Sequence, residues 1–467
     1  MSQRAQTLDT VWLKDALHRY NVQGPRYTSY PTAPQWADAG PGEEAGLAAL
    51  QASRPSTPLS VYIHIPFCYR RCLFCGCNTI VRGRHREVGD RYISYFRKEL
   101  DLRSRDFHPD RRLVQLHFGG GTPTYMTPDQ LADITRDTLS RFSPAPDMEF
   151  SIELDPCDMK REHIDALRPM GLNRVSLGVQ DFDEEVQDLI KRFQTEEDTA
   201  RAMDCARETG IRFINVDLIY GLPGQTLETF ERTIGRVIEM GATRLAIYSY
   251  AHIPWIRPHQ KRIDPARLPD PETKLLLYLL AYEKLTQAGF VAIGMDHFAR
   301  PEDELTLAQN QGTLHRNFMG YTTRAGTDLL SFGISSISFA AGVYTQDHKT
   351  LPEYEGPLDA GRLPLEKVCR LTEDDKIRAD LITQIICNFH LDLPGFERRH
   401  GIDFRFYFRE ELAGLEPFEK DKLVELSDRA LDVTARGRFF IRNICMVFDV
   451  YLKKPKATEA PRYSQTI

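Results

Sequence analysis

One short segment of this 467-residue chain crowds reactive side chains together: from Tyr62 to Asn78 it reads YIHIPFCYRRCLFCGCN. Cys68, Cys72 and Cys75 stand there in C-x3-C-x2-C spacing, and a fourth thiol follows at Cys77. Three thiolates so close can hold three corners of an iron–sulfur cube and leave its fourth iron open to something reactive. An ordinary electron-carrying cluster has every iron closed by a protein ligand. Zinc is the rival metal. Structural zinc sites pair two short Cys or His units across a spacer, and nothing downstream of Cys77 supplies a matching pair. A disulfide framework fits worse, since only four of the nine cysteines cluster. Residues 1–15 are polar with no apolar secretory core, which points to a reducing cytosol, where crowded thiols mean metal or catalysis.

A second string, Gly119-Gly120-Gly121-Thr122-Pro123-Thr124, follows the strand-like run Gln115-Leu116-His117-Phe118. Glycines let main-chain N–H and C=O groups approach a ligand closely. The order matches neither a phosphate-binding P-loop nor a dinucleotide fingerprint. By itself it reads as a tight strand-to-helix turn.

These strings need a scaffold, and the alternation of patterns supplies one. Residues 60–65, 113–118, 148–154, 174–179, 212–219 and 244–250 read as strands. Amphipathic stretches at 91–102, 128–139, 195–208 and 226–239 lie between them. Strand-then-helix repeats predict an α/β fold with a parallel sheet, here a partial (β/α)6 TIM-like barrel rather than a closed eight-stranded one. Active sites of such sheets collect at the carboxyl ends of the strands. The cysteines, the glycine run, Glu153, Asp155 and Gln180 all fall there. Strand-end carboxylates can equally cap the helix that follows.

The length predicts two or three domains: an arm and helix over 1–48, a catalytic domain over 49–362 and a mostly helical C-terminal domain over 363–467. With 42% hydrophobic and 27% charged residues the composition is that of a globular protein, and a net charge of -6 argues against a general nucleic-acid binder. The C-terminal pattern suits a compact helical or winged-helix unit, yet its basic residues form no stripe for DNA. The most apolar run, around 275–281, is too short to span a bilayer and reads as a buried helix face.

With both strings in view, the chain resembles the radical S-adenosylmethionine (SAM) superfamily, marked by C-x3-C-x2-C after the first strand and GGG after the second. More narrowly it resembles the oxygen-independent coproporphyrinogen III oxidase family. That match rests on GPRYTSYPT at 24–32, the Cys-Gly-Cys at 75–77, GMDHFAR at 294–300 and RNIC at 442–445. The resemblance implies a [4Fe-4S] cluster on Cys68, Cys72 and Cys75, whose open iron is chelated by SAM. A low-potential electron then cleaves the sulfonium and yields a 5′-deoxyadenosyl radical. Hydrogen removal from a propionate, with loss of CO2 and an electron, leaves a vinyl group. Two such rounds turn coproporphyrinogen III into protoporphyrinogen IX.

The family also implies two SAM molecules. Tyr62, Gly120, Glu153 and Ile337 match the contacts of the cluster-bound one; Phe74, Gly121, Thr122, Gln180, Arg192, Asp217 and Ala251 match those of the second. Where the family usually has Asn before the arginine, this chain has Lys191. Tyr62, His64 and Cys77 are the candidate catalytic residues. His64 can instead simply pack, and Cys77 can be a small buried hydrophobe. Arg26, Tyr27 and Tyr30 of the arm suit propionates and a flat tetrapyrrole, so the arm is expected to close over substrate. A flavodoxin or ferredoxin is the expected electron donor, and a cytoplasmic monomer with no membrane span the expected form. A haem-binding chaperone on the same scaffold is the alternative function.

Overall fold

The six expected strands form and lie side by side: β1 (Leu59–Ile65), β2 (Arg112–Gly120), β3 (Ser143–Leu154), β4 (Arg174–Gln180), β5 (Phe213–Tyr220) and β6 (Arg244–Ser249). The computed structural model describes residues 10–39, 48, 56–83, 85–105, 111–453 and 463–466. Each of these strands is parallel to the next. Helices Arg86–Ser104, Pro128–Arg141, Glu196–Glu208 and Leu227–Glu239 lie between them in sequence. Local chemistry sets where three of these helices begin. Thr127, Thr195 and Thr226 each accept a backbone N–H three residues on, a cap worth about 1 kcal/mol.

Strand alternation then divides the sheet into two chemically different faces. Val61, Ile63, Phe118, Ile152, Leu177 and Val216 point to one side and are buried in the main core with the helices. The intervening positions, among them His117, Ser151, Glu153, Ser176 and Asp217, border cavities on the other side. A sheet covered by helices on one face and lined with polar groups on the other is a half-barrel with a chemical interior.

Among the described residues the sheet is wider than expected, with thirteen strands. A seventh parallel strand, Asp328–Phe332, adds beside β1, followed by antiparallel Ile337–Ala340, Val343–Asp347, Leu365–Arg370 and the short Ala37–Asp38. His297–Ala299 and Val291–Ile293 extend the other edge. The two edge strands do not pair, so the barrel stays open. The sheet-bearing part therefore runs past residue 362 to Arg370. Helix Glu373–Asn388 then opens a smaller unit with its own three-stranded sheet. That unit shares a second apolar core with Ala16, Leu17 and Tyr20 of helix Thr10–Tyr20 and with Tyr27 and Tyr30 of the arm. Among the described residues no helix is long and apolar enough to cross a membrane.

Candidate active site

The cysteine loop leaves β1 and is fastened at several points. Phe67–Cys68 pairs in parallel with Ile80–Val81, and Arg82 N–H donates to the Cys68 carbonyl at 3.0 Å. Leu73, buried, donates its N–H to Ile190 O at 2.8 Å. From far along the chain, Gln260 Nε2 donates to Phe74 O at 3.0 Å, while His259 Nε2 sits 2.8 Å from Cys75 O. The thiols point to different neighbours. Cys68 Sγ lies 3.4 Å from Thr122 Oγ1, and Cys72 Sγ accepts from Arg192 Nη1 at 3.7 Å. A hydrogen bond from Cys77 draws the Cys75 thiol down to about 6 and pushes Cys77 itself up. Burial pushes Cys68 up to about 12, so a metal must displace its proton.

Among the described residues no three Cys, His, Asp or Glu side chains converge on a point that would hold a single ion. A tetrahedral zinc site requires that convergence. A cube places its three cysteine sulfurs on three different irons and does not require them to meet at one point. The neighbouring wall is bare enough to receive it. Gly120 takes φ +115°, and a Cβ at Gly121 would come within 2.7 Å of the Phe67 carbonyl oxygen, so both positions require glycine. Gly121 N–H and Thr122 N–H donate to Ile65 O and Phe67 O at 2.7 and 2.9 Å, zipping the glycine turn onto the cysteine loop.

Glu153, at the end of β3, accepts from Gly120 N–H at 3.1 Å and lies 3.4 Å from His117 Nε2. Burial opposes its charge, but these two partners hold its carboxyl below the usual range. His117 stacks on Tyr62, whose hydroxyl is 3.1 Å from His64 Nδ1. The far ring nitrogen of His64 sits 3.0 Å from Asn78 O, and burial lowers its basicity.

On the opposite wall Arg192 Nη1 pairs with Asp155 Oδ2 at 3.3 Å. Asp217 on β5 accepts from Asn215 Nδ2 at 2.8 Å and Ser176 Oγ at 3.1 Å, and burial followed by the charge of Glu153 pushes its carboxyl up to about 6. Gln180 adopts φ +70°, a strained conformation for a non-glycine residue of the kind that gathers at functional sites.

One cavity of about 490 Å³ joins the two walls, within the range of small-molecule sites. It is bordered by the four loop cysteines, Phe74, the glycine turn with Thr122, Glu153, Gln180, Arg192, Asp217 and Ala251. Tyr62 and His64 do not border it, although the His64 ring lies where a Cβ at Gly120 would fall. Ile337 is on the flanking strand Ile337–Ala340, where its carbonyl accepts from Ser331 Oγ at 2.5 Å, and it does not border the cavity. The arm divides in the same way. Arg26 borders the cavity, donates to Ser249 O at 3.0 Å and sits 3.7 Å from Asp296. Tyr27 and Tyr30, expected to meet substrate, are buried instead against the C-terminal unit: Tyr27 Oη donates to Asp449 at 3.0 Å, and Tyr30 Oη accepts from Val450 N–H at 3.3 Å. His259 and Gln260 escaped the sequence reading because they lie in a proline-bounded segment, Pro258–Arg262, with no strand or helix period.

The Radical SAM superfamily model matches residues 62–237, and the HemN C-terminal domain model matches residues 371–440. The oxygen-independent coproporphyrinogen III oxidase of Escherichia coli (strain K12) is 46% identical over 443 residues, covering 95% of this chain and 96% of that protein. Its counterpart in Synechocystis is 42% identical over 443 residues, covering 94% and 95%. Among solved structures, the Escherichia coli coproporphyrinogen III oxidase, described as a radical SAM enzyme, superposes with a TM-score of 0.88 at 45% identity, covering 93% of this chain and 98% of the other.

Proposed function

This chain belongs to the oxygen-independent coproporphyrinogen III oxidase family of radical SAM proteins, and from that premise we propose that it converts two propionates of coproporphyrinogen III to vinyl groups, giving protoporphyrinogen IX in haem biosynthesis. The observation that carries this reading is the single cavity onto which three cluster-spaced cysteines, a side-chain-free glycine wall and strand-end carboxylates all open. A [4Fe-4S] cluster on Cys68, Cys72 and Cys75, with SAM on its open iron, supplies one-electron sulfonium cleavage and an alkyl radical able to take hydrogen from carbon.

The residues of the chain bind, orient and shield. Gly120 offers main chain, and Glu153, kept ionised by His117 and the Gly120 N–H, accepts from an ammonium group. Tyr62 and His64 stand beside that wall through His117 and Gly120, Ile337 stays on the flanking strand outside the cavity, and Cys77 tunes Cys75 through their shared hydrogen bond. For a second SAM, Arg192 suits a carboxylate in the paired geometry guanidinium favours. Asp217 and Gln180 suit ribose hydroxyls, and Phe74, Gly121, Thr122 and Ala251 complete the wall.

Charge at the rear of the cavity suits a polycarboxylate substrate. Arg26 stands on the cavity wall, where its guanidinium suits a propionate carboxylate. The arm carrying Arg26 excludes water. A low-potential carrier, flavodoxin or ferredoxin, is needed from outside. All nine cysteines are free, in keeping with a monomer in a reducing cytoplasm.

Anaerobic purification should give a brown protein that, with SAM and dithionite, releases carbon dioxide from coproporphyrinogen III and forms 5′-deoxyadenosine. Absence of both products would overturn the assignment. Cys72→Ser should lose its iron, since no other thiol has the right spacing. The relatives that align nearly end to end carry the oxidase name, so the haem-chaperone alternative is not favoured.

A further inference from the structure

Two stretches that hold the cysteine loop are basic with no acidic relief. Residues 62–86 and 251–263 contain no Asp or Glu, although the whole chain has a net charge of -6. They bring Arg70, Arg71 and Arg82 from one side and Arg257, Lys261 and Arg262 from the other. At the end of the first stretch Arg86 is paired with Asp90, and beyond the second Arg267 is paired with Glu185, whereas none of these six has a carboxylate within ion-pair distance among the described residues. Both stretches touch the loop directly. Arg82 N–H bonds Cys68 O, Arg71 Nη2 donates to Thr79 O at 3.2 Å, and His259 and Gln260 bond Cys75 O and Phe74 O. The bonds of His259 and Gln260 to the loop at 2.8 and 3.0 Å place the two stretches together. Trp255 and Ile256, 46% and 45% exposed, add apolar surface beside them.

Like charges gathered without counter-ions repel one another, and such a face is suited to meeting an opposite potential on a partner. We propose that this face is where a small acidic one-electron carrier, a reduced flavodoxin, docks to reduce the cluster. The proposal rests on the reading of the cavity as a radical SAM site. In the step, the carrier is oxidised by one electron and the cluster is reduced by one, with no covalent bond made or broken. The complex is held by rim charges, and the loop carbonyls bonded by His259 and Gln260 lie directly behind it.

The test compares the holoenzyme with Lys261→Glu/Arg262→Glu and with Arg82→Glu, none of which borders the cavity. Flavodoxin binding is read by calorimetry, and turnover is driven either by reduced flavodoxin or by dithionite. Reversal should weaken flavodoxin binding about tenfold and raise its KM similarly, while Lys261→Gln/Arg262→Gln gives a smaller loss and Arg398→Glu, on the C-terminal unit, gives none. Wild-type affinity should fall between about 50 and 200 mM salt. Dithionite-driven turnover should stay unchanged in every variant. Unaltered flavodoxin affinity overturns the proposal, and so does an equal fall in dithionite-driven turnover, which would assign the cations to substrate or folding. A wild-type enzyme inactive with dithionite would refute the proposed reaction instead, and the calorimetric comparison would still judge the docking face.

Discussion

At Asp217 burial and the neighbouring Glu153 push the carboxyl up to about 6, which places its ionisation inside the working pH range. An ionised carboxylate accepts ribose hydroxyls better than a neutral one. SAM affinity measured by equilibrium dialysis should therefore rise about fourfold between about pH 5.5 and 7.5, as the carboxylate fraction grows through 6. Asp217→Asn should flatten that rise; an unchanged profile would remove Asp217 from the contact. Lys191, the departure from the family pattern, occupies the left-handed position ending helix Glu184–Ile190, at φ +54°. Asn tolerates that conformation better than Lys. Lys191→Asn should thus add roughly 0.5–1 kcal/mol of stability in urea unfolding and leave Arg192 where it is. The crowding of Cys68, Cys72 and Cys75 on one loop was readable from their spacing. The pairing of Arg192 with Asp155 was not, because it depends on how the turn after helix Glu184–Ile190 folds back over the end of β3.

Elements were legible where a period repeats. Strand alternation and amphipathic periods marked β1 to β6 and the four helices between them, because each pattern runs for at least six residues. The strands Ile337–Ala340 and Val343–Asp347 went unseen: they are four and five residues long and carry polar groups, so no period accumulates. Pro258–Arg262 has no period at all, yet it fastens the cysteine loop through Gln260, whose Nε2 serves both Phe74 O and Ala251 O. Gln260→Ala should leave the fold intact but speed loss of iron to a chelator about tenfold, the scale of effect seen when a supporting contact behind metal ligands is removed. Iron release at the wild-type rate would show that the loop holds itself.

At the level of the whole molecule, the arm is a bridge. Arg442 donates to Pro25 O at 3.0 Å, to Gly24 O and to Gln465 O at 2.9 Å, and Asn443 Nδ2 donates to Tyr20 O at 2.7 Å. These bonds explain in physical terms why RNIC and GPRYTSYPT occur in one chain: one string clamps the other. Arg442→Ala leaves two buried carbonyls and one part-buried carbonyl short of a donor and should cost about 2–4 kcal/mol. Protease cleavage in the arm should increase, and turnover should fall far more than SAM binding, as it should on deletion of residues 1–35. Turnover equal to wild type in either variant would release the arm from any part in the reaction. Gln23 also pairs with Gln465, and Thr466 N–H donates to Val22 O at 2.7 Å. The groups that seat Arg26 on the cavity are thus translated long after the loop cysteines have left the ribosome. Until then the nascent cavity stays open on the side that the arm covers.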